Sequence, residues 1–297
     1  MLFRNLGMLL VCLSLCACRK TPPKANAKHR KQAVQRTVTQ KLPPYMSFKN
    51  ASEAMTYLLK RPHSVLGIGE YHQQHRFKHI SPAIERFRKQ MLPQLGGEIS
   101  DLLVETWVTT GQCGKQEKVV VKEVKKVIKR PKKTTNHIIE LLKAGKRMKM
   151  APHILRAHCK DYESLQDEKK TGFDPVKMLR FVTDKLGQTT TWILKERKKR
   201  KQKAAIAIYG GAIHNDIKPS ETLRPFSYVH TLPAKAQKKF IELDLYVPEY
   251  IYEDAHYKKV AWYPLLNKAK ETNKVILIQH TSRSFSLIFK WTPTSKK

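Results

Sequence analysis

Residues 64–77 read SVLGIGEYHQQHRF, and this stretch changes character abruptly in its middle. The apolar run VLGI passes directly into Glu70 and His72, and His75 follows one turn later. A short apolar run bounded by glycine and polar residues is typical of a strand that is buried on both faces. A carboxylate and two imidazoles at the end of such a strand either satisfy one another or form a site for a ligand or a reaction. The rest of the sequence has to favour one of these interpretations.

The alternation of apolar runs with helical segments predicts the fold class. Strands are predicted at 65–69, 101–105, 149–157, 204–209 and 241–247, and helices at 136–146 and 174–201. Residues 72–95 are predicted to be largely helical, with either a kink or a fresh helix start at Pro82. Strands that alternate with helices predict an α/β fold, in which a central, mainly parallel β-sheet is flanked by helices on both faces. The last two apolar runs, 275–279 and 285–289, predict an antiparallel edge hairpin at the C-terminus. We therefore expect a single α/β domain over residues 45–297.

The first 44 residues predict export and lipid attachment. Residues 1–17 combine a basic start with a short apolar run, which is typical of a signal peptide. The sequence Leu-Cys-Ala-Cys that ends at Cys18 resembles a bacterial lipobox, which implies a lipid on Cys18; the alternative is an uncleaved anchor helix. Residues 18–44 are basic and poor in large apolar side chains, which predicts a flexible tether. Arg19 after the lipidated cysteine implies, by the sorting rule of enteric bacteria, an outer-membrane lipoprotein of the cell envelope that faces the periplasm or the cell surface.

Two cysteines stay outside the signal peptide and the lipid attachment site. These are Cys113 and Cys159, and each follows a predicted strand. Cysteine pairs in an exported protein form disulfides more often than they stay reduced. The sequence therefore predicts a Cys113–Cys159 disulfide.

The charge of the chain predicts anionic partners. It holds 58 basic and 24 acidic residues, which give a net charge of +34. Such a field favours the membrane surface, to which the lipid anchor also leads, and other anionic polymers of the envelope. The Lys-rich stretch 115–133 fits either an amphipathic helix on such a surface or a solvated face. Nucleic acid is not favoured, because the basic runs lack the interleaved aromatic residues on which bases stack.

Carboxylates and imidazoles recur at the ends of the predicted strands. Glu70 and His72 follow the first strand, Glu105 ends the second, and His214 follows the strand at 204–209. Ligands of open parallel sheets bind beyond the carboxyl ends of the strands. We therefore expect these four side chains to form one pocket at that edge.

Two kinds of chemistry fit this group of side chains. As catalytic residues, the imidazoles would be general base and acid, and the carboxylates would orient them or polarise a water. As metal ligands, His72, His214 and Glu105 would hold a divalent ion with an open coordination position. Secondary candidates for binding a cofactor or lining the pocket are Tyr71, Tyr209, His75 and His280.

Three short stretches resemble the motifs of one superfamily: GEYH at 69–72, DLLVET at 101–106 and GAIH at 211–214. The superfamily joins the erythromycin-esterase-like proteins, the ChaN haem-binding lipoproteins and the Tiki/TraB proteins, which share two Gly-x-x-His motifs and a Glu on the second strand. The order of elements is similar over roughly residues 64–289, and a lipid anchor is most similar to the ChaN branch. The Lys-rich insert at 115–133 and the cysteine pair depart from the superfamily pattern.

The resemblance implies two classes of function, because the branches differ. Tiki-like proteins are metal-dependent proteases with the His and Glu of these motifs at the metal, and erythromycin esterases hydrolyse a lactone with His and Glu. The ChaN branch binds haem, which implies Tyr71 and Tyr209 as groups on the iron side. Two carboxylates suit hydrolysis, whereas haem iron does not need them. The sequence thus favours a hydrolase of an ester or a peptide-like substrate, either with or without a metal ion, and a haem- or iron-binding lipoprotein stays open as the alternative.

Overall fold

The strands form one mixed sheet in the computed structural model, which describes residues 41–111, 113, 131, 133–166 and 174–292. The strands are β1 (Tyr45–Phe48), β2 (Val65–Glu70), β3 (Ile99–Thr110), β4 (Ala151–His158), β5 (Ala205–Gly211), β6 (Phe240–Tyr246), β7 (Val275–Gln279) and β8 (Ser284–Ile288). Their order across the sheet is β1-β7-β8-β6-β2-β5-β3-β4. Strands β2, β3, β4, β5, β6 and β8 pair in parallel, whereas β7 runs antiparallel to both of its neighbours, β1 and β8. The predicted α/β class is confirmed.

Helices occupy most of the connections between these strands. They are α1 (Ala51–Leu59), α2 (Ala83–Gln90), α3 (Thr134–Arg147), α4 (Cys159–Ser164), α5 (Pro175–Lys199), α6 (Ala234–Lys238), α7 (Pro248–Ile251) and α8 (Leu265–Thr272). The start of α5 follows the predicted pattern: the Asp174 side chain accepts hydrogen bonds from the backbone of Val176 and Lys177, and Pro175 is the first helical residue.

Two details of the predicted elements are corrected. The helix predicted over 72–95 is instead a 3-10 turn at His75–Phe77, α2, and a second 3-10 turn at Leu92–Leu95. Pro82 is the N-cap of α2, because proline suits the start of a helix and not its interior. The antiparallel pair β7–β8 is confirmed, but it is not the edge of the sheet, because β1 pairs with the outer side of β7.

Both faces of the sheet are buried. One core cluster joins one face to α1, α2, α3 and α8, and a second cluster joins the other face to α5 and to residues 228–240. On β2, Leu66 and Ile68 belong to the first cluster and Val65 to the second. This two-sided burial explains why β2 reads as a continuous apolar run.

The predicted disulfide is confirmed. Cys113 and Cys159 are bonded, with their Cα atoms 5.0 Å apart. The bond joins the chain just after β3 to the first residue of α4, which directly follows β4.

Several predictions fall on residues that the structure does not describe. The signal peptide, Cys18, Arg19 and nearly all of the tether lie outside the described residues, as does most of the Lys-rich stretch. Among the described helices, none is both long enough and apolar enough to cross a bilayer.

Candidate active site

The sheet order places the ends of β2, β5 and β3 side by side. Glu70 is the last residue of β2, and it is in register with Gly211 at the end of β5. On β3, pairing with β5 ends at Val104, and the register with β4 shifts between Val104 and Trp107. Glu105 lies within this irregularity, and its Oε2 accepts a hydrogen bond from the backbone N–H of Gly211. The bulge therefore directs a carboxylate to the end of the neighbouring strand.

His72 is held from behind by a carboxylate. Its Nδ1 lies 2.7 Å from Oε1 of Glu70, and the hydroxyl of Tyr209 donates to Oε2 of Glu70 over 2.6 Å. Because Glu70 accepts hydrogen bonds at both oxygens, the geometry fits a carboxylate that accepts from His72 Nδ1–H. In the neutral imidazole, Nε2 is then the accepting nitrogen.

His214 is held from behind by neutral acceptors. Its Nδ1 lies 3.0 Å from the carbonyl oxygen of Phe226 and 2.9 Å from Oγ1 of Thr183, a residue of α5. The Thr183 hydroxyl has a carbonyl to donate to at Leu179, 2.8 Å away. A backbone carbonyl only accepts, so Nδ1 of His214 carries the hydrogen and Nε2 is its accepting nitrogen.

The two imidazoles converge on one carboxylate oxygen. Oε1 of Glu105 lies 4.0 Å from Nε2 of His72 and 3.9 Å from Nε2 of His214. Both distances are longer than a direct hydrogen bond. The two nitrogens and the Glu105 oxygen therefore surround a common region of space. A Cβ atom at Gly211 would come within 3.1 Å of Nε2 of His72 and 3.6 Å of Cδ2 of His214. Glycine at this position therefore leaves room for the His72 ring, whereas the distance to His214 is an ordinary contact.

The three side chains of the cluster differ in their exposure to solvent. The His72 side chain is 26% exposed, Glu105 is 12% exposed and His214 is 2% exposed. A ligand or water from solvent therefore meets His72 first and His214 last.

Polar residues that the sequence patterns did not single out border the cluster. The Tyr228 hydroxyl donates to Oδ1 of Asn215 over 2.6 Å. Burial raises the pKa of Tyr228 well above its ordinary value, and the nearby carboxylates of Glu105 and Glu242 raise it further. Tyr228 is thus a neutral donor at any physiological pH. Asn215 follows His214 directly and could have been noticed, but Thr183 and Tyr228 have no local motif.

The secondary candidates are distributed differently. Tyr209 joins the site as the partner of Glu70, whereas the hydroxyl of Tyr71 accepts from Nε2 of Gln74 over 2.9 Å and its ring packs against Tyr257. His75 is exposed in the turn that follows His72. The prediction for His280 is wrong. It lies at the opposite end of the strands, because β7 runs antiparallel and its C-terminal end points away from Glu70.

The cluster is spaced more widely than an ideal tetrahedral zinc site. Zinc holds nitrogen and oxygen ligands at about 2.0–2.2 Å, which places two tetrahedral ligands roughly 3.4 Å apart. The two separations at Glu105 are wider, at 4.0 Å and 3.9 Å. Within the described parts of the chain, no group of three or more His, Cys, Asp or Glu side chains has the arrangement of a metal site.

Neither tyrosine is presented to a haem iron in this arrangement. Tyr71 is 7% exposed and Tyr209 is 2% exposed. Each hydroxyl also has a hydrogen-bond partner within the protein, Gln74 for Tyr71 and Glu70 for Tyr209. An iron on either oxygen would require the surrounding side chains to move.

Comparisons of the chain with protein-family models, with curated proteins and with solved structures found no match.

Proposed function

We propose that this protein is a cell-envelope lipoprotein whose His/Glu site hydrolyses an ester or a peptide-like bond by general acid–base catalysis. One observation carries the proposal: two imidazoles, each held at Nδ1, both direct Nε2 at the same oxygen of Glu105. Fixed proton acceptors around one position are what general acid–base catalysis requires.

His72 is the general base in this scheme. A water next to Nε2 of His72 loses one proton to that nitrogen, while the water oxygen bonds to the carbonyl carbon of the substrate. Glu70 stabilises the imidazolium that forms, as the carboxylate of a serine-protease triad stabilises its histidine. His214 is less suited to this role, because its Nδ1 faces only a carbonyl and a hydroxyl.

Glu105 and His214 supply the second proton. In this scheme the pair carries one proton, and its facing atoms, 3.9 Å apart, are within reach of each other through one water. That proton passes to the leaving oxygen or nitrogen as its bond to the carbonyl carbon breaks. The proton gained by His72 then returns to the Glu105–His214 pair, which restores the starting state.

The superfamily resemblance supports the same proposal. GEYH supplies Glu70 and His72, DLLVET supplies Glu105, and GAIH supplies Gly211 and His214. All three stretches that carry the resemblance thus contribute to the cluster, and in two branches of that superfamily these residue types carry hydrolysis. The lipobox-like sequence at Cys18 and the Arg19 that follows it support a place at the outer membrane.

Hydrolysis by the purified full chain tests the proposal. Suitable probes are p-nitrophenyl acetate and a peptide that carries a fluorophore and a quencher. We expect His72→Ala and Glu105→Gln each to lower kcat/KM by at least about 100-fold, which is the lower end of general acid–base contributions. The matched control is His75→Ala, which removes an exposed imidazole three positions away and should leave kcat/KM within about twofold.

Two further measurements separate this proposal from its competitors. Dialysis against EDTA is expected to leave the activity unchanged. If activity is lost and zinc restores it, the attacking water is activated by a metal ion and not by proton transfer to His72. Equal losses in the His75→Ala control would show that the hydrolysis is unspecific. No hydrolysis, together with a Soret band in protein from haem-fed cells, would favour the haem-binding function instead.

A further inference from the structure

Basic residues lie along the side of the sheet where the parallel strands begin, opposite the strand ends that form the candidate active site. Helices α1, α3, α5 and α6 each end just before a strand of the parallel set, so their C-termini meet at the edge where those strands begin. The turns that follow these helices carry exposed lysines and arginines. We name this surface the basic edge and define it by residues 60, 146–149, 198–203 and 238–239.

Hardly any acidic residue neutralises the basic edge. None of its four segments contains Asp or Glu, and five of the six residues in 198–203 are basic. Nearby, Glu196 is bound to Lys199 at 2.6 Å, the Asp101 carboxylate lies 3.6 Å from Nε of Arg197, and Glu98 stands at the start of β3. Helix dipoles favour cations only in the last turn, whereas this run continues from α5 to Lys203.

The edge that holds the candidate site has a mixed charge instead. The segment that follows β6 there contains Glu249, Glu253 and Asp254 as well as Lys258 and Lys259. Lys258 is paired with Glu253 at 3.0 Å. Among these described segments, the basic edge therefore lacks the acidic residues that the edge of the candidate site carries.

The chain also comes into the domain at the basic edge. β1 is antiparallel to β7, and β7 is antiparallel to β8, so β1 runs in the same direction as β2 and starts at the same edge. The carbonyl of Pro44 accepts from the backbone N–H of Gln279 over 2.9 Å, which fixes residues 41–44 there. The described part of the chain therefore begins at this edge.

We infer that the basic edge docks on an anionic phospholipid bilayer and that the candidate site points away from the membrane. β2 has six residues at about 3.3 Å each, so the two edges are about 20 Å apart. The four basic turns precede β4, β5, β2 and β6, which span about 20 Å across the sheet and suit a flat, charged surface. The four segments contain no aromatic side chain for stacking on bases, so a bilayer is favoured over nucleic acid.

Vesicle binding by charge-matched variants tests this orientation. Every sample is the full chain with Cys18→Ser, mixed with extruded vesicles of phosphatidylcholine alone or with about 30% phosphatidylglycerol. One triple variant carries Lys198→Gln, Lys203→Gln and Lys239→Gln on the basic edge. Its matched control carries Lys78→Gln, Lys259→Gln and Lys274→Gln, exposed lysines at the edge of the candidate site. Both triples remove the same charge, so unspecific attraction would weaken equally.

The basic-edge triple is expected to lower partitioning onto the anionic vesicles on the order of a hundredfold, which corresponds to about 1 kcal/mol for each charge. The control triple should lower it less than threefold, and binding to neutral vesicles should be the same for all three proteins. Acetylation of the unsubstituted lysines should be slowed by anionic vesicles at Lys198, Lys203 and Lys239 and not at the control positions. Equal losses in the two triples, no loss in either, or uniform protection from acetylation would overturn the inference.

Discussion

Tyr209 acts on the candidate site through Glu70 and not through a substrate. Its hydroxyl donates to Oε2 of Glu70, and the other oxygen of Glu70 faces Nδ1 of His72. The ring is 2% exposed and packs against Phe87 with the ring centroids 5.1 Å apart. Tyr209 is thus a positioning residue whose hydroxyl can be removed without disturbing the packing of its ring.

We expect Tyr209→Phe to lower kcat about tenfold and to leave KM nearly unchanged. A hydrogen bond to a charged group contributes about 1.5–3 kcal/mol. Only the part of this free energy that orients His72 stabilises the transition state. The measurement is the hydrolysis of the two probes, together with the pH profile of kcat/KM, whose acid limb should shift because the environment of the His72–Glu70 pair changes. A lower melting temperature with an unaltered pH profile would instead indicate a merely structural hydroxyl.

The sequence predicts the site residues that lie at strand ends, but it does not predict those that helices and loops contribute. Glu70 and Glu105 terminate or interrupt apolar runs, so their meeting follows from a parallel sheet. Thr183 reaches His214 from the middle of a long helix, and nothing local distinguishes it from a buried helix threonine. His280 was misplaced because the direction of a strand is not encoded in its apolar run.

β3 connects the candidate site to the disulfide. The strand extends to Thr110, beyond Glu105, and Cys113 follows it. Only β4 pairs with β3 beyond Val104 among the described strands. The disulfide to Cys159 therefore joins the C-terminal ends of β3 and β4, and Glu105 lies further back on β3.

The double variant Cys113→Ser, Cys159→Ser is expected to lose about 4 kcal/mol of unfolding free energy. The bond closes a loop with a sequence separation of 46 residues, and the chain-entropy model assigns about this stabilisation to such a loop. Urea unfolding with and without a reductant measures the loss. If the oxidised wild type and the double variant unfold at the same urea concentration, the loop entropy is not what stabilises this part of the protein.

Asp101 joins three elements at their other end. Its carboxylate lies 2.8 Å from Nε2 of His153 on β4 and 3.6 Å from Nε of Arg197 on α5, and it accepts from Ser100 over 2.6 Å. Burial by itself raises the pKa of Asp101, but the hydrogen bonds from His153 and Ser100 and the charges of His153 and Arg197 lower it below its ordinary value. This network anchors α5, the helix that also supplies Thr183.

We expect Asp101→Asn to lower the unfolding free energy by about 2 kcal/mol at pH 7, since Arg197 keeps its charge but loses its carboxylate partner. A carboxyl group whose pKa is lowered by folding stabilises the protein above its unfolded pKa of about 3.9, and this contribution is lost as the pH falls below that value. The difference between variant and wild type should therefore shrink below about pH 4. Urea unfolding at pH 7 and pH 3.5 measures it.

The control for Asp101 is Glu140→Gln. Glu140 pairs with Lys143 at 3.3 Å on an exposed surface, and exposed pairs contribute little. Its substitution should change the free energy of unfolding by less than about 0.5 kcal/mol at either pH. A difference for Asp101→Asn that persists undiminished at pH 3.5 would mean that the side chain acts through packing and not through its charge.

Element positions were mostly predictable where one rule dominates. The start of α5 has both an N-cap and a first-turn proline, and the structure follows it. The region 72–95 has a helical apolar spacing, but the prolines at 82 and 93 divide it into a helix and two 3-10 turns. The β3 bulge, which sets the direction of Glu105, has no turn signal in the sequence.

In the part of the chain that the structure describes, the candidate site lies at one edge of the sheet, and basic turns without Asp or Glu lie at the other. This division follows from the fold itself, because in an α/β sheet the helix C-termini and the strand N-termini share an edge. Basic residues that suit helix C-termini thus collect opposite the strand ends that carry Glu70 and His72. A lipid on Cys18 and the basic edge would then hold the domain to the same membrane from the same side.

The two attachments predict a salt-dependent result for Cys18→Ser. Wild-type chain should stay in the membrane pellet during a wash with 1 M NaCl, because a lipid anchor is insensitive to ionic strength. The Cys18→Ser chain should sediment with membranes at low salt and leave them in 1 M NaCl, where the Debye length is about 3 Å and the attraction of the basic edge is screened. Cys16→Ser is the matched control, since Leu15 at the position before it is too large for a good lipobox, and it should behave as wild type. A Cys18→Ser chain that resists the salt wash would show that an uncleaved apolar helix, and not a lipid, anchors this protein.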